Sequence, residues 1–402
     1  MLVRYTRDHA GRAVRRAVIY TESDHSITPD QIDPDAIRIA KRLRSSGHVA
    51  YVVGGAVRDL LLGRTPKDFD IATDAQPNRI RRLFRNSRVI GKRFRLVHVF
   101  FGDKIIEVAT FRAEHSAGFE NHFGEIEEDV FRRDFTANAL YYCPIDNRII
   151  DYVGGFKDIR DRRLKPVIPL QQIFTEDPVR MIRAIKYESS TGCQMTRQLR
   201  RQLRKDVDLL AQTPVSRMTE EVFKILLSGH SSTIFEKCIE HRMLKHMVPE
   251  VAHLADEDAS YRDALIRRLG ALDREVNEGG EDRRSRGIAY LAVDYLFEHT
   301  PTGKLPRIPY VDGFGEIKRL IKPLVPANRD VEMALTYIVR RRRDYQRSGE
   351  LETEPPATRP RVEDEHFRQE RGDKPAPKKR GRRRRRPSSS SPDRTRSEKR
   401  EA

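Results

Sequence analysis

The stretch from Ala50 to Thr73 constrains the fold of this chain more than any other. An apolar run ends there in Gly54-Gly55, a segment with the apolar content of a short helix runs from Val57 to Leu62, and a second apolar run begins at Asp68-Phe69-Asp70. This order predicts a strand, a tight turn, a helix and another strand. Because paired glycines let backbone N–H groups approach an anion, and a helix start adds positive partial charge, the turn is typical of a phosphate site.

Two carboxylates, Asp68 and Asp70, stand at the entry of the second predicted strand. Side chains two residues apart on a strand leave the same face, so these carboxylates converge on one point. Their oxygens suit a hard divalent cation such as Mg²⁺ beside a substrate phosphate. A Gly-Gly pair alone is usually only a turn, and an Asp-x-Asp alone is usually a solvated strand end. Their closeness in this chain favours a shared site.

Three segments carry motifs that resemble those of the bacterial poly(A) polymerase and tRNA CCA-adding enzyme family. They are Gly54-Gly55-x-x-Arg58-Asp59 with Asp68-x-Asp70, then Arg132-Arg133-Asp134-Phe135-Thr136, then Glu176-Asp177-x-x-Arg180-x-x-Arg183. The motifs follow the family's order over roughly residues 25 to 230. Members of this family transfer nucleotides, so the resemblance implies a nucleotidyltransferase head at the start of the chain.

The resemblance also implies a role for each matched residue. One group is expected to bind the triphosphate of ATP: Gly54, Gly55, Arg58 and Arg133. The third motif is expected to recognise the nucleotide without a template, with Asp177 and Arg180 at the base edge and Arg183 more loosely placed. The expected catalytic carboxylates are Asp68, Asp70, Asp134 and Glu107, of which Asp68, Asp70 and Glu107 are expected to bind two Mg²⁺ ions.

Glu107 is expected to be the third acidic ligand because of its surroundings. It lies in an apolar run, and a buried carboxylate costs several kcal/mol unless a cation or hydrogen bonds compensate for the lost hydration. We therefore expect this side chain to be partly buried and to face Asp68 and Asp70 from the neighbouring strand. The alternative is a glutamate at the sheet edge that pairs with a local cation such as Arg112.

The second and third motifs leave alternatives open. Arg133 offers a planar donor fork to phosphate oxygens. Asp134 either accepts from a ribose hydroxyl or lies close enough to the metals to act electrostatically. For both residues the alternative is ion pairing of Arg and Asp within one helix turn. Asp177 before Pro178 is also a good helix N-cap, and capping alone would explain it.

The pattern of apolar residues predicts an α+β chain in which a mixed-sheet head precedes helices. The expected parts are an N-terminal extension (1–33), a nucleotidyltransferase head (34–153), a helical neck with the nucleobase motif (154–230), a helical RNA-binding body (231–351) and a disordered Arg-rich tail (352–402). Gly154-Gly155 is expected to be a flexible joint between head and neck. Residues 113–124, which lack periodicity, are expected to form a mobile loop near the site.

Charge and composition narrow the class of partner. The net charge of +18 and the pI near 9.9 indicate a polyanion, either nucleic acid or an anionic surface. The chain has no run of eighteen apolar residues and no apolar signal-peptide core, so we expect no membrane partner and a cytoplasmic location. Its three cysteines have no C-x-x-C spacing and predict neither a disulfide framework nor a zinc site.

The function implied by the resemblance is template-independent addition of AMP from ATP to RNA 3′ ends, in mRNA processing and RNA decay. The segment from Val89 to Val99 and the Arg-rich tail resemble the poly(A) polymerase variant of the family. The expected partners are the 3′ ends of mRNA, with tRNA and small RNA as further candidates. One alternative is a CCA-adding or A-adding tRNA nucleotidyltransferase. The other is a non-catalytic RNA-binding protein with a relic polymerase head, against which the intact acidic pair argues.

Overall fold

A domain built on a mixed β-sheet precedes a body of helices, as the sequence predicts. The computed structural model describes residues 1–7, 13–91, 95–113, 123–279, 284–299, 310–348 and 351. The predicted disorder of the tail at 352–402 lies outside the described residues, as does most of the predicted mobile loop. Within the described part of the chain, no helix combines the length and the apolar character that crossing a membrane requires.

The head is organised around a nine-stranded sheet, counted over the described residues. The strand order across the sheet is β1-β2-β9-β8-β3-β4-β7-β6-β5. Neighbouring strands are antiparallel except for the parallel pair β4 and β7. The strands are β1 Leu2–Arg7, β2 Ala13–Tyr20, β3 Ala50–Val53, β4 Asp70–Thr73, β5 Ser87–Ile90, β6 Leu96–Phe101, β7 Lys104–Thr110, β8 Leu140–Cys143 and β9 Arg148–Asp151. A short parallel pair, β10 Arg163–Leu164 and β11 Gln194–Met195, lies in the neck.

Helices occupy most of the remaining described chain. In the head they are α1 Pro34–Ser45, α2 Gly55–Leu61, α3 Pro77–Leu83 and α4 Ile126–Phe131. In the neck they are α5 Gly155–Arg160, α6 Leu170–Glu176, α7 Val179–Thr191, α8 Arg197–Asp206 and α9 Val215–Leu226. In the body they are α10 Ser231–Glu240, α11 Leu244–Met247, α12 Pro249–Glu257, α13 Ala259–Asn277, α14 Arg284–His299, α15 Tyr310–Leu320 and α16 Asn328–Ser348.

One face of the head sheet is covered by the first three helices. Helix α1 begins at Pro34, because the carboxylate of the preceding Asp33 accepts the N–H of Asp35 at 2.8 Å and so caps the helix. Leu43 of α1 and Ile80 of α3 are fully buried in one cluster with the strand residues Ile71 and Val108. The opposite face of β4 and β7 is therefore the one available for chemistry.

The N-terminal extension belongs to the head sheet, which differs from the predicted separation at residue 33. Strand β2 pairs with β9, and Ile19 lies opposite Ile150. Ala17, Val18 and Ile19 are all buried, so this strand is covered on both faces and shows little of the alternation that marks a half-buried strand. The short apolar segment from Ala17 to Tyr20 is the only indication of strand β2 in the sequence.

The turn between head and neck is tightly held, contrary to the flexible joint expected at Gly154-Gly155. The Asp151 carboxylate accepts the backbone N–H groups of Val153, Gly154, Gly155 and Phe156 at 2.7–3.1 Å. A side chain on Gly155 would collide with the carbonyl oxygen of Thr136. These glycines therefore allow close packing and a positive φ of 83° at Gly154.

Candidate active site

Two of the predicted acidic residues are neighbours on adjacent parallel strands, Asp70 at the start of β4 and Glu107 in the middle of β7. In the register of β4 and β7, Ile71 is paired with Val108, which places Asp70 beside Glu107. Ile71 and Val108 are buried under the helices, so alternation along the strands directs Asp70 and Glu107 to the other face. Asp68 lies two residues before Asp70, at the same edge.

Negative charge is concentrated around Asp70. The Asp70 side chain is exposed to solvent. Even so, the surrounding protein removes part of its hydration, and this loss is the largest of the causes that raise its pKa to about 6. The charges of Glu107 and then Asp68 raise that pKa further, whereas Arg133 and Lys224 oppose the shift. The site therefore holds like charges that a cation would stabilise.

Glu107 lies on a strand next to that of Asp70, as the sequence predicts, but its side chain is more exposed than expected. Its side chain is 47% exposed, and its Oε1 lies 3.2 Å from Nε2 of His98 on β6. The expected partial burial was wrong because the apolar neighbours of Glu107 point to the opposite, helix-covered face of the sheet. Its partner is His98 and not Arg112, the cation considered for the alternative.

The glycine turn lies beside the carboxylates. Val53 at the end of β3 is paired with Asp70, so the turn at Gly54-Gly55 follows directly next to the acidic site. Gly54 has φ 71°, a conformation that side chains disfavour, and a Cβ there would lie 3.6 Å from Nη1 of Arg133. The glycine turn predicted to bind phosphate and the side chain of Arg133 therefore lie next to each other.

Arg133 donates hydrogen bonds to three protein groups and still has N–H donors for a ligand. Its Nε donates to the Tyr141 hydroxyl at 2.9 Å, its Nη2 to Asp129 at 2.9 Å and its Nη1 to the Asn138 carbonyl at 3.2 Å. The ion pair with Asp129 spans four residues, so the alternative of a local pair does occur for this residue. A guanidinium has five N–H donors, which leaves two for a ligand.

Arg58 is more enclosed than its expected role requires. Its side chain is 10% exposed and pairs with Asp59, and its Nη1 donates to the Asn138 side-chain oxygen at 2.7 Å. The guanidinium carbon lies 5.0 Å from the ring centroid of Tyr187 on α7. Arg58 therefore supports the glycine turn from beneath and links it to the neck.

Asp134 belongs to a buried network between head and neck. Its Oδ1 accepts from Asn138 Nδ2 at 3.0 Å, and its Oδ2 lies 3.6 Å from Nη1 of Arg183. Arg183 in turn donates to Glu221 of α9 at 2.8 Å. Asp134 is absent from the charges that act most on Asp70, whereas Glu107 is the first of them.

Glu221 and Lys224 are charged groups that the sequence reasoning missed. Burial would raise the pKa of Glu221, but Lys186, Arg183 and Lys224 hold it down at about 2. Lys67, just before the acidic pair, donates to the carbonyl of Leu227 at 3.2 Å, which brings the end of α9 to the site. The only sequence signal is a Glu and a Lys three residues apart on an amphipathic helix.

The third motif is positioned differently from the prediction. Helix α7 begins at Val179 and not at Pro178, although Asp177 still accepts the N–H of Val179 at 3.3 Å. The other Asp177 oxygen pairs with Arg217 at 2.7 Å. Arg180 is 8% exposed and pairs with Glu176 at 3.1 Å. Both expected base-recognition residues are thus engaged with other protein groups.

The donor set fits magnesium in number and kind. Among the described residues, no group of three His, Cys, Asp or Glu side chains is arranged to hold a metal ion by protein ligands alone. Mg²⁺ usually takes only one or two carboxylates, with substrate phosphates and water completing its shell. Asp68 and Asp70 supply two such carboxylates in a site of unbalanced negative charge.

Comparison with known proteins matches two segments of the chain to described families. Residues 50–165 match the family described as "Poly A polymerase head domain", and residues 192–254 match the "Probable RNA and SrmB- binding site of polymerase A". Poly(A) polymerase I of Escherichia coli O6:H1 is 38% identical over 267 residues, which are 62% of this chain and 57% of that protein. The CCA-adding enzyme of Bacillus subtilis is 35% identical over 218 residues, or 53% of this chain and 55% of that protein.

A solved structure supports the fold. The Bacillus stearothermophilus CCA-adding enzyme in complex with CTP has a TM-score of 0.56 and 28% identity, covering 78% of this chain and 71% of that one. The chain spans little more than half the length of the curated relatives it matches. The chain is therefore homologous to poly(A) polymerase I and the CCA-adding enzymes, and it carries a poly(A) polymerase head domain and a polymerase RNA-binding domain.

Proposed function

We propose that this protein is a nucleotidyltransferase that adds AMP from ATP to RNA 3′ ends without a template, in the cytoplasm, for mRNA processing and decay. The observation that carries the proposal is the position of Asp70. It lies beside Glu107, two residues after Asp68 and directly against the glycine turn. The likeness to poly(A) polymerase I supports AMP as the added unit.

In this proposal Asp68 and Asp70 hold Mg²⁺, with Glu107 as the third carboxylate of the site. When bound, two such ions supply Lewis-acid activation of the RNA 3′-hydroxyl and charge neutralisation at the leaving pyrophosphate. Glu107 is preferred to Asp134 for the third position because its charge acts on Asp70 most strongly of all the carboxylates. Its exposed side chain can leave His98 to face a ligand.

The triphosphate binds in the proposal over the turn at Gly54-Gly55. Backbone N–H groups there, together with the two free donors of Arg133, match the oxygens of a phosphate. Arg58 keeps the turn in shape from below and is a positioning residue. The attacking RNA hydroxyl then approaches the α-phosphorus from the side opposite to the leaving pyrophosphate.

The neck residues complete the nucleotide site. Asp134 and Arg183 join head and neck through a chain of charges that ends at Glu221. We assign Asp177 and Arg180 to the base edge, which requires Asp177 to release Arg217 and Arg180 to release Glu176. The released partners, Arg217 and Glu176, are exposed side chains that water can solvate.

A CCA-adding activity on tRNA is the second candidate. It is favoured by the likeness to the Bacillus stearothermophilus enzyme in complex with CTP. The two activities use the same chemistry and differ in the nucleotide that is selected. The acidic site would serve either one.

Nucleotide incorporation decides between the candidates. The purified chain is incubated with Mg²⁺, a short RNA and either ATP or CTP, and in parallel with a tRNA that lacks its last three nucleotides. We expect extension of the RNA with ATP and almost none with CTP. Addition of CTP to the shortened tRNA would overturn the assignment in favour of the second candidate.

A further inference from the structure

Five arginines of the head form a charged surface that the proposed reaction does not use. We name it the α1–α3 basic face, and it consists of Arg42, Arg79, Arg81, Arg82 and Arg85. All five are exposed. The guanidinium of Arg42 lies 5.5 Å from the ring centroid of Phe84, at the end of α3, so the two helices contribute to one surface.

The positive charge of this face is not balanced by the protein. Within the described part of the chain none of the five arginines forms an ion pair with a carboxylate. In the sequence no Asp or Glu occurs between Asp74 and Asp103. By contrast, other head cations are paired, such as Arg38 with Asp35 at 2.7 Å and Arg44 with Asp146 at 2.8 Å.

Such an arrangement carries a cost that a bound polyanion would remove. Arg79 and Arg82 are three residues apart on α3, a spacing at which like charges on a helix repel, and Arg85 adds a further positive charge just after the helix ends. A series of phosphates would relieve that repulsion and release counterions. The guanidinium fork also suits phosphate oxygens better than an ammonium group does.

The face lies on the opposite side of the sheet from the carboxylates. Ile80, between the arginines of α3, packs in the same cluster as Ile71 and Val108. Asp70 and Glu107 alternate with those two strand residues and so leave the other side. An RNA that touches both must therefore pass around the edge of the head.

We infer that the α1–α3 basic face binds the phosphates of RNA upstream of the 3′ end that enters the active site, as a second, sequence-independent contact. This inference rests on the proposed function for its choice of RNA as the polyanion. The face presents no exposed large apolar side chain among its described residues, so it lacks the wedge that membrane insertion uses. Long RNA should use this contact, and RNA too short to reach around the head should not.

The test compares a variant of the full chain with a matched control. The variant carries Arg79→Gln, Arg82→Gln and Arg85→Gln. The control carries Arg4→Gln, Arg148→Gln and Lys157→Gln, which are exposed positions outside the RNA-binding body, have no ion pair with a carboxylate among the described residues and remove the same charge. Fluorescence anisotropy measures binding of RNA of about 40 nucleotides and of about 6 nucleotides, the latter near the lower limit of single-strand site sizes.

We expect the variant to bind the long RNA roughly tenfold more weakly at physiological salt, with a salt slope smaller in magnitude by about 2. Its extension of the short RNA and its thermal unfolding should match those of the parent chain. Unchanged long-RNA binding, or an equal loss in the control, would overturn the inference. Loss of binding to phosphatidylserine vesicles with RNA binding intact would instead assign the face to an anionic membrane surface.

The RNA-binding test of the basic face and the nucleotide-incorporation test of the proposed function can fail independently. A parent chain that incorporates no nucleotide would refute the enzymatic proposal, while a selective loss of long-RNA binding would still support the basic face. Normal nucleotide incorporation with no effect of the three substitutions would refute the basic face alone.

Discussion

Asp70 is the residue whose environment says most about this molecule. It combines reduced hydration with two neighbouring carboxylates, and both effects raise its pKa, to about 6. An aspartate in this state is poised to bind a cation, because a cation replaces the lost hydration and cancels the repulsion at once. The sequence predicts the position of this carboxylate, but the shift depends on the parallel register of β4 and β7, which the sequence does not specify.

Asp70→Asn should stabilise the metal-free protein at neutral pH. The folded pKa of about 6 lies above the ordinary value of 3.8, so ionisation of Asp70 destabilises the folded state above pH 6 and has no effect once both states are protonated. After allowance for solvent screening we expect a gain of about 1 kcal/mol in the free energy of unfolding at pH 7.5. Urea unfolding measures this gain, which should shrink below pH 6 and vanish below about pH 3, where both states are protonated. A variant less stable than the parent at pH 7.5 would contradict the account.

Helices α7 and α9 are joined by one buried carboxylate. Glu221 is 4% exposed and contacts Arg183, Lys186 and Lys224 at 2.8–3.6 Å. Because Arg183 also reaches Asp134, this single side chain fixes the neck against the head. The arrangement of the nucleotide site therefore depends on a residue that lies outside the motifs in the sequence but contacts them in the structure.

Glu221→Gln should destabilise the chain, and its neighbour supplies the control. Removal of one partner from a buried charge cluster costs about 3 kcal/mol at pH 7. The folded pKa of Glu221, about 2, lies below its ordinary value of 4.5, so the stabilisation is present above pH 4.5 and is lost as the pH falls toward 2. Glu220→Gln, at an exposed ion pair, should change stability by less than about 0.5 kcal/mol. Equal unfolding midpoints for the two variants would refute the role of Glu221.

At the level of elements the sequence predicts local signals well and long-range pairing poorly. Helix α1 is marked by its cap and apolar spacing, and the hairpin of β6 and β7 by its Gly-Asp turn. Strand β1 joins the sheet only through β2, and its register contains a shift between Arg4 and Tyr5. Nothing local in the sequence indicates that β2 pairs with β9, because β9 follows more than a hundred residues later in the chain.

The exposure of Glu107 is a second feature that the sequence does not predict. An apolar run predicts a buried strand, but it does not show which face the helices cover. Once α1 and α3 cover one side, Ile106 and Val108 are buried and Glu107 remains open. The identity of the residue was predictable, and its environment was not.

At the scale of the whole molecule, an acidic site lies within a strongly basic chain. The head presents carboxylates on one face of its sheet and arginines on the other, within a chain of net charge +18. Such a distribution attracts RNA broadly through the basic surfaces and reserves the acidic edge for a metal and a triphosphate. The segment that matches the polymerase head precedes the segment that matches the RNA-binding family.

The most direct test of this account measures extension of an RNA 3′ end by Asp70→Asn. Asp103→Asn, at an exposed turn of the same sheet, is the matched control because it removes the same charge away from the site. Loss of several kcal/mol of charge stabilisation predicts a rate of AMP addition lower by about 1,000-fold, with RNA affinity unchanged and the control fully active. Extension by Asp70→Asn at a rate near that of the parent chain would contradict the claim that these carboxylates organise the chemistry.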